Sequence, residues 1–136
     1  MGVNADGPDT NASSRCVSKQ FEMSAENDSV SVPSDTWVLI PVHNRRETTV
    51  ECLRHLKRTQ DWDALNIVVI DDGSTDGTAA AIRDEFPSVV IIEGGGDLWW
   101  TGAIVEGMEF ALEQNASVLV WLNDDVRPDE GALDRL

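Results

Sequence analysis

Two short apolar runs in this chain pass without a spacer into acids. Ile67–Ile70 leads into Asp71-Asp72-Gly73-Ser74-Thr75-Asp76-Gly77, and Val118–Leu122 leads into Asn123-Asp124-Asp125. A brief continuous run of Val, Ile and Leu reads as a strand buried on both faces, as in parallel sheets covered by helices. Acids at the carboxyl ends of such strands stand on the edge where open α/β sheets bind ligands. Two oxygen-rich clusters delivered to one edge suit a polar ligand bridged by a metal ion.

The segments between these runs alternate in the same way. Trp37–Val42 is a further buried strand, and Glu47–Thr59 follows as a helix with Val50, Leu53 and Leu56 on one face. Thr78–Phe86 is an Ala-rich helix stopped by Pro87, and Val89–Ile92 is the third strand. Gly94-Gly95-Gly96 opens a loop before a helix over Gly102–Gln114, whose apolar stripe is Ile104, Val105, Met108, Ala111 and Leu112. Pro128, followed by Asp129 and Glu130, sits where another helix could begin. Strands alternating with helices of this length imply right-handed βαβ units: an α/β, doubly wound, mostly parallel sheet.

Residues 1–35 stand apart. They are rich in Ser, Asn, Asp and Gly, and their apolar residues show no period, so they are expected to form a disordered acidic tail ahead of a domain over 36–136. The chain carries a net charge of −15, with 25 acids against 10 bases, and no basic stripe interleaved with aromatics. That balance excludes a nucleic-acid partner. Cys16 and Cys52 form neither a disulfide framework nor a metal spacing. No apolar run approaches the roughly 18 residues of a membrane span, and residues 1–20 lack a signal-peptide core. A cytoplasmic location is expected, at most peripheral to the inner membrane face.

Each candidate motif has two readings. In Asp71-Asp72-Gly73-Ser74 the acids cap a βα turn or bind a ligand. Adjacent carboxylates repel unless something engages them, which favours a ligand. Asn123-Asp124-Asp125 is an acidic surface turn or a hard-cation site, where one or two carboxylates share Mg²⁺ or Mn²⁺ with a substrate's phosphates. Trp99 and Trp100 either stack on a sugar or base or cover the sheet. The glycines of 94–107 do not have the spacing of a dinucleotide fingerprint.

Taken in order, Pro41-Val42-His43-Asn44, Asp71-Asp72-Gly73-Ser74-Thr75-Asp76, Gly102-Ala103 and Leu122-Asn123-Asp124-Asp125-Val126 resemble family 2 glycosyltransferases of the GT-A fold, from Trp37 to Leu136. The resemblance implies a strand order of 3-2-1-4 and a divalent cation, Mn²⁺ or Mg²⁺, held on a nucleotide-sugar's diphosphate by an Asp-x-Asp type motif. Asn123 stands at its first position and Asp125 at its last, so both are expected at the metal. Pro41, Val42 and His43 would line the nucleoside pocket, and Asp72 would contact base or ribose. Asn44, Asp71 and Asp124 would join the donor-binding set, with Gly102 at a close approach. Val105 occupies the place where the family's pattern has Asn before Gly107.

The implied reaction is inverting transfer of a sugar from a nucleotide-diphosphate sugar to a sugar or lipid-linked acceptor, in polysaccharide or glycolipid synthesis. In the family the general base follows the acidic motif, and this chain ends eleven residues past Asp125. The catalytic base is therefore expected beyond Leu136, the chain is expected to be a fragment inactive alone, and strand 118–122 is expected to be an exposed edge prone to self-association. The alternative is a nucleotide-binding module or remnant without catalysis. A nucleotidyltransferase is disfavoured, because Pro41-Val42-His43-Asn44-Arg45-Arg46 is not the Gly-rich basic loop such enzymes carry after strand 1.

Overall fold

The computed structural model describes residues 33–136; most of the expected tail, with Cys16, lies outside the described residues. Four parallel strands form one sheet in the order β3-β2-β1-β4: β1 (Thr36–Val42), β2 (Asn66–Asp72), β3 (Val90–Gly94) and β4 (Val118–Trp121). Three helices connect them: α1 (Arg46–Thr59), α2 (Thr78–Glu85) and α3 (Trp99–Glu113). Fold class and strand order are those expected from the sequence.

The period-2 alternation of β1 divides the core into two layers. Val38, Ile40 and Val42 face α1 and α2, packing with Leu53, Leu56 and Ile82. Leu39 faces α3, packing with Val68, Ile70, Ala103, Ile104 and Ala111. The chain winds on one face through β1, β2 and β3, then crosses to the other through α3 and returns as β4. Its direction along the sheet thus reverses between β1 and β4, which opens a crevice at their carboxyl ends.

Several boundaries differ from expectation. β2 runs on through Asp71 and Asp72 because β3 continues to Gly94 and pairs with them, Asp71 with Glu93 and Asp72 with Gly94. α3 starts at Trp99 instead of Gly102, and Val105 and Leu112 of the expected stripe are exposed while Ala103 and Gly107 are buried. The reason is Gly107. A Cβ there would lie 2.7 Å from Ile70 Cδ1, so the helix turns its small residues to the sheet and approaches closely. A short 3₁₀ turn, Trp62–Ala64, was not foreseen.

Pro128 does not open an α-helix. The stretch after β4 is instead bound to α1: Gln60 Nε2 donates to the Asp129 carbonyl at 2.8 Å, and Gln60 Oε1 accepts from the Leu133 N–H at 3.0 Å. Gly131 donates to the Thr59 carbonyl, and His55 Nε2 to that of Pro128. Cys52 is a buried free thiol, and burial pushes its pKa up to about 11, which suits a packing residue.

Candidate functional site

The crevice at the switch point is a cleft of about 450 Å³. Pro41, Val42 and His43 from the end of β1 form one side, Asp72 from the end of β2 its floor, and Asn123, Asp124 and Asp125 the margin beyond β4. Of the residues singled out in the sequence, these seven come together. Asn44, Asp71 and Gly102 are not among the lining residues.

Those three build the loops around the cleft. Asp71 Oδ1 accepts from the Ser74 N–H at 2.9 Å, which caps the turn opened by Gly73. Asn44 adopts φ +52°, a conformation Asn tolerates better than most residues, and its Oδ1 accepts from the Thr75 N–H at 2.7 Å. Gly102 packs under Leu98, whose Cβ would lie 3.2 Å from a Cβ at that position.

Asp72 is buried, and both its oxygens are engaged by the glycine loop. Oδ1 accepts from the Gly96 N–H at 2.8 Å and Oδ2 from the Trp99 N–H at 2.9 Å. Burial opposes the ionised form, but the N–H groups of Trp99, Leu98 and Gly96, with the nearby His43 ring, prevail and hold the carboxyl below the ordinary aspartate value. His43 Nδ1 donates to the Asp72 carbonyl, which leaves Nε2 to accept from Asn44 Nδ2 at 3.1 Å. The imidazole is thereby fixed in one orientation, with both nitrogens occupied.

The acidic motif splits by environment. Asp124 is buried: its Oδ2 accepts from Thr49 Oγ1 at 3.1 Å and lies 3.2 Å from Arg45 Nε. Burial raises its pKa and outweighs the lowering by Arg45 and Thr49, with Asp125 adding to the rise. Asp125 is 57% exposed, and its nearest cation is Arg45 Nη2 at 3.6 Å. Asn123 Oδ1 accepts a long hydrogen bond, 3.3 Å, from Trp100 Nε1.

Among the described residues no cluster of three or more His, Cys, Asp or Glu side chains could hold a metal unaided. The donors present, an open carboxylate at Asp125 and the amide oxygen of Asn123, fit a hard cation that takes its remaining ligands from phosphate and water.

Five further residues line the cleft: Arg45, Gly96, Trp99, Trp100 and Ala103. For the tryptophan pair the sequence allows stacking or sheet covering, whereas Arg45 and Gly96 carry no signal of their own. Both indoles stand open at the cleft, Trp99 80% exposed, and Trp100 meets Trp121 edge-on at 6.3 Å. Nothing in the sequence separates Arg45 from Arg46. In the fold, the backbone of Arg46 is tied to Asp76 Oδ2 at 2.9 Å, whereas the side chain of Arg45 enters the cleft.

The sequence profile described as Glycosyl transferase family 2 matches residues 37–136. Among solved structures, the chain is similar to the mannosyltransferase PcManGT from Pyrobaculum calidifontis in complex with GDP-Man and Mn²⁺, at 24% identity and a TM-score of 0.58, covering 74% of this chain and 30% of that one. It is similar to residues 1–349 of S. aureus TarS at 21% identity and a TM-score of 0.59, with the same coverage. The UDP complex of TarS 1–349 aligns at 23% identity and a TM-score of 0.53, over 67% of this chain and 27% of that one. At these identities the likeness establishes the fold, and the chain spans about 30% of the length of these structures. No curated protein sequence matches the chain significantly.

Proposed function

The chain belongs to glycosyl transferase family 2, and from that premise we propose that its cleft binds the nucleotide-diphosphate sugar of an inverting glycosyl transfer. The observation that carries this reading is the convergence of Pro41-Val42-His43, Asp72 and Asn123–Asp125, from three strand ends, on one crevice at the switch point. Pro41, Val42 and the fixed His43 ring pack against the base. Asp72, though engaged by two amides, keeps lone pairs for a base or ribose donor, since a carboxylate offers about four acceptor sites. Asn44, Asp71 and Gly102 serve the donor through the loops they hold.

Asn123 and Asp125 are the residues that would hold a divalent cation against the diphosphate. The neighbour crystallised with GDP-Man and Mn²⁺ supports this reading, as does the hard-oxygen character of the two donors. When bound, such a cation neutralises the charge growing on the leaving diphosphate. Asp124, buried and paired, does not face the diphosphate as a free anion; it holds Arg45 and the start of α1 in place. In the transfer, an acceptor hydroxyl attacks the anomeric carbon, the bond to the diphosphate breaks, and the hydroxyl proton passes to a carboxylate base.

That base and the acceptor surface come from outside these residues, a proposal supported by the 30% share of the neighbours' length that the chain spans. The acceptor is a growing polysaccharide or glycolipid, met at the cytoplasmic face. β4 is one of the two sheet edges among the described strands, with Trp121 half exposed, which supports self-association or a completing segment along it.

A second reading, donor binding without transfer, is favoured by one observation: in the cleft only Asp125 is a carboxylate not already engaged by short contacts. Calorimetry with nucleotide-sugars plus Mn²⁺, paired with a radiolabelled-donor assay, separates the two. Binding with turnover supports transfer, binding without turnover supports the module, and no binding to any nucleotide-sugar removes both.

A further inference from the structure

The cleft is poorly charged for the ligand it is proposed to take. Three carboxylates line it, Asp72, Asp124 and Asp125, and the only Lys or Arg side chain lining it among the described residues is Arg45. A diphosphate entering there meets acids on its way in, so each cationic group that faces it matters.

The position of Arg45 answers this shortage. Its Nε, close to the stem, is anchored 3.2 Å from the buried oxygen of Asp124 that Thr49 also holds. Its outer nitrogens are far less committed: Nη2 lies 3.6 Å from the exposed Asp125, and no acid of the described residues pairs with Nη1. The guanidinium is thus held at its base and free at its tip, next to the carboxylate expected to share a cation with phosphate. Arg127, just past the acidic motif, is committed to the carbonyls of Asp124 and Val126 through Nη1.

We propose that Arg45 is a diphosphate-binding residue, presented by Asp124. With Nε anchored and only a 3.6 Å contact at Nη2, the outer face of the guanidinium fork is open to phosphate oxygens, which its planar geometry suits, and a cation held at Asp125 would loosen that last contact. The inference rests on the donor-binding reading and adds to it a specificity: the site distinguishes a diphosphate from a bare nucleoside through the residue after Asn44.

The test uses the full chain and a panel of UDP, GDP, CDP, ADP and dTDP, each with Mn²⁺, and the matching nucleosides. For whichever diphosphate binds, Arg45→Gln should weaken binding by about tenfold or more, the scale of a lost charge-assisted pair, and leave the nucleoside unchanged. Arg45→Lys, which keeps the charge and loses the fork, should fall between. If Arg45→Gln fails to fold, phenylglyoxal modification of the wild-type chain, read by mass spectrometry at Arg45, decides. Diphosphate with Mn²⁺ should protect Arg45 and nucleoside should not. Undiminished or tighter diphosphate binding in a folded Arg45→Gln, or equal labelling with and without diphosphate, overturns this inference alone. A wild-type chain that binds no diphosphate overturns both the inference and the donor-binding reading beneath it.

Discussion

Asp72 holds Trp99 by the backbone: Oδ2 of the carboxylate accepts the Trp99 N–H at 2.9 Å while Trp99 sits at φ +55°, a left-handed conformation rare for a bulky side chain. The same carboxylate takes the Gly96 N–H with its other oxygen, so one buried side chain fixes both the glycine loop and the first turn of α3. Gly73 makes this closure possible, since a Cβ there would lie 2.8 Å from Gly96 N.

Asp72→Ala should therefore weaken binding of nucleoside and nucleoside diphosphate alike, by roughly ten- to a hundredfold, through the lost contact and the released loop. Asp125→Ala should spare the metal-free nucleoside. Calorimetry on the two variants checks the division of roles, and identical patterns in both would refute it.

Cation and diphosphate should bind as a unit. Saturating both to about 100 times the Kd stabilises the native state by about 2.7 kcal/mol. Thermal melts should show the gain with UDP or GDP plus Mn²⁺ and lose it with EDTA or in Asp125→Ala. An undiminished gain from nucleotide in excess EDTA would rule out the cation's place at Asp125.

The two buried aspartates should affect acid stability with opposite signs. The Asp72 carboxyl lies below the ordinary value, so the stability it contributes is present above the unfolded pKa of about 3.9 and is lost as pH falls through its folded pKa. The Asp124 carboxyl lies above it, so the fold binds that proton more tightly than the unfolded chain; this contribution is present below about 3.9 and lost as pH rises through the folded pKa. Urea midpoints between about pH 3 and pH 7 should become less dependent on pH in Asp72→Asn and more steeply rising in Asp124→Asn. Changes of slope in the same direction would contradict the assignment.

Gly107→Ala should destabilise the domain although alanine favours helix. The propensity gain is about 1 kcal/mol. The added methyl lies 2.7 Å from Cδ1 of the fully buried Ile70, and overpacking of this kind costs about 1–3 kcal/mol. A net loss of about 1 kcal/mol, read as a melting temperature lower by about 4–8 °C, is expected. A variant as stable as the wild type would mean that α3 is free to move outward.

Much of the fold was legible because parallel strands announce themselves as unbroken apolar runs, and βαβ handedness leaves few topologies for four of them. The registration of α3 was not legible. Its apolar residues, Val105 and Leu112 included, outnumber the places on its buried face, and the face is chosen by the close approach at Gly107, which depends on Ile70 in another element. At the site, the strand-end acids were visible by position, yet their environments were not. Asp71 binds an amide of its own turn, but Asp124 meets an arginine brought from the start of α1, and no local pattern around residues 123–125 announces that partner.

Gln60 grips the segment beyond β4 from both sides, and that grip has a bearing on how the two walls of the cleft move. The His43–Arg45 wall runs directly into the amino end of α1, and the Asn123–Asp125 wall runs into the segment tied to its carboxyl end. The helix thereby acts as a tie-rod between two walls that lie about eighty residues apart in sequence. Local opening of either wall should drag the other, so in hydrogen exchange the amides of Leu133 and α1 should open together as one cooperative unit. The cleft would then open and close as a piece, keeping the acids of one wall in register with the His43–Arg45 wall, while the indole of Trp99, 80% exposed, turns on a backbone held in place.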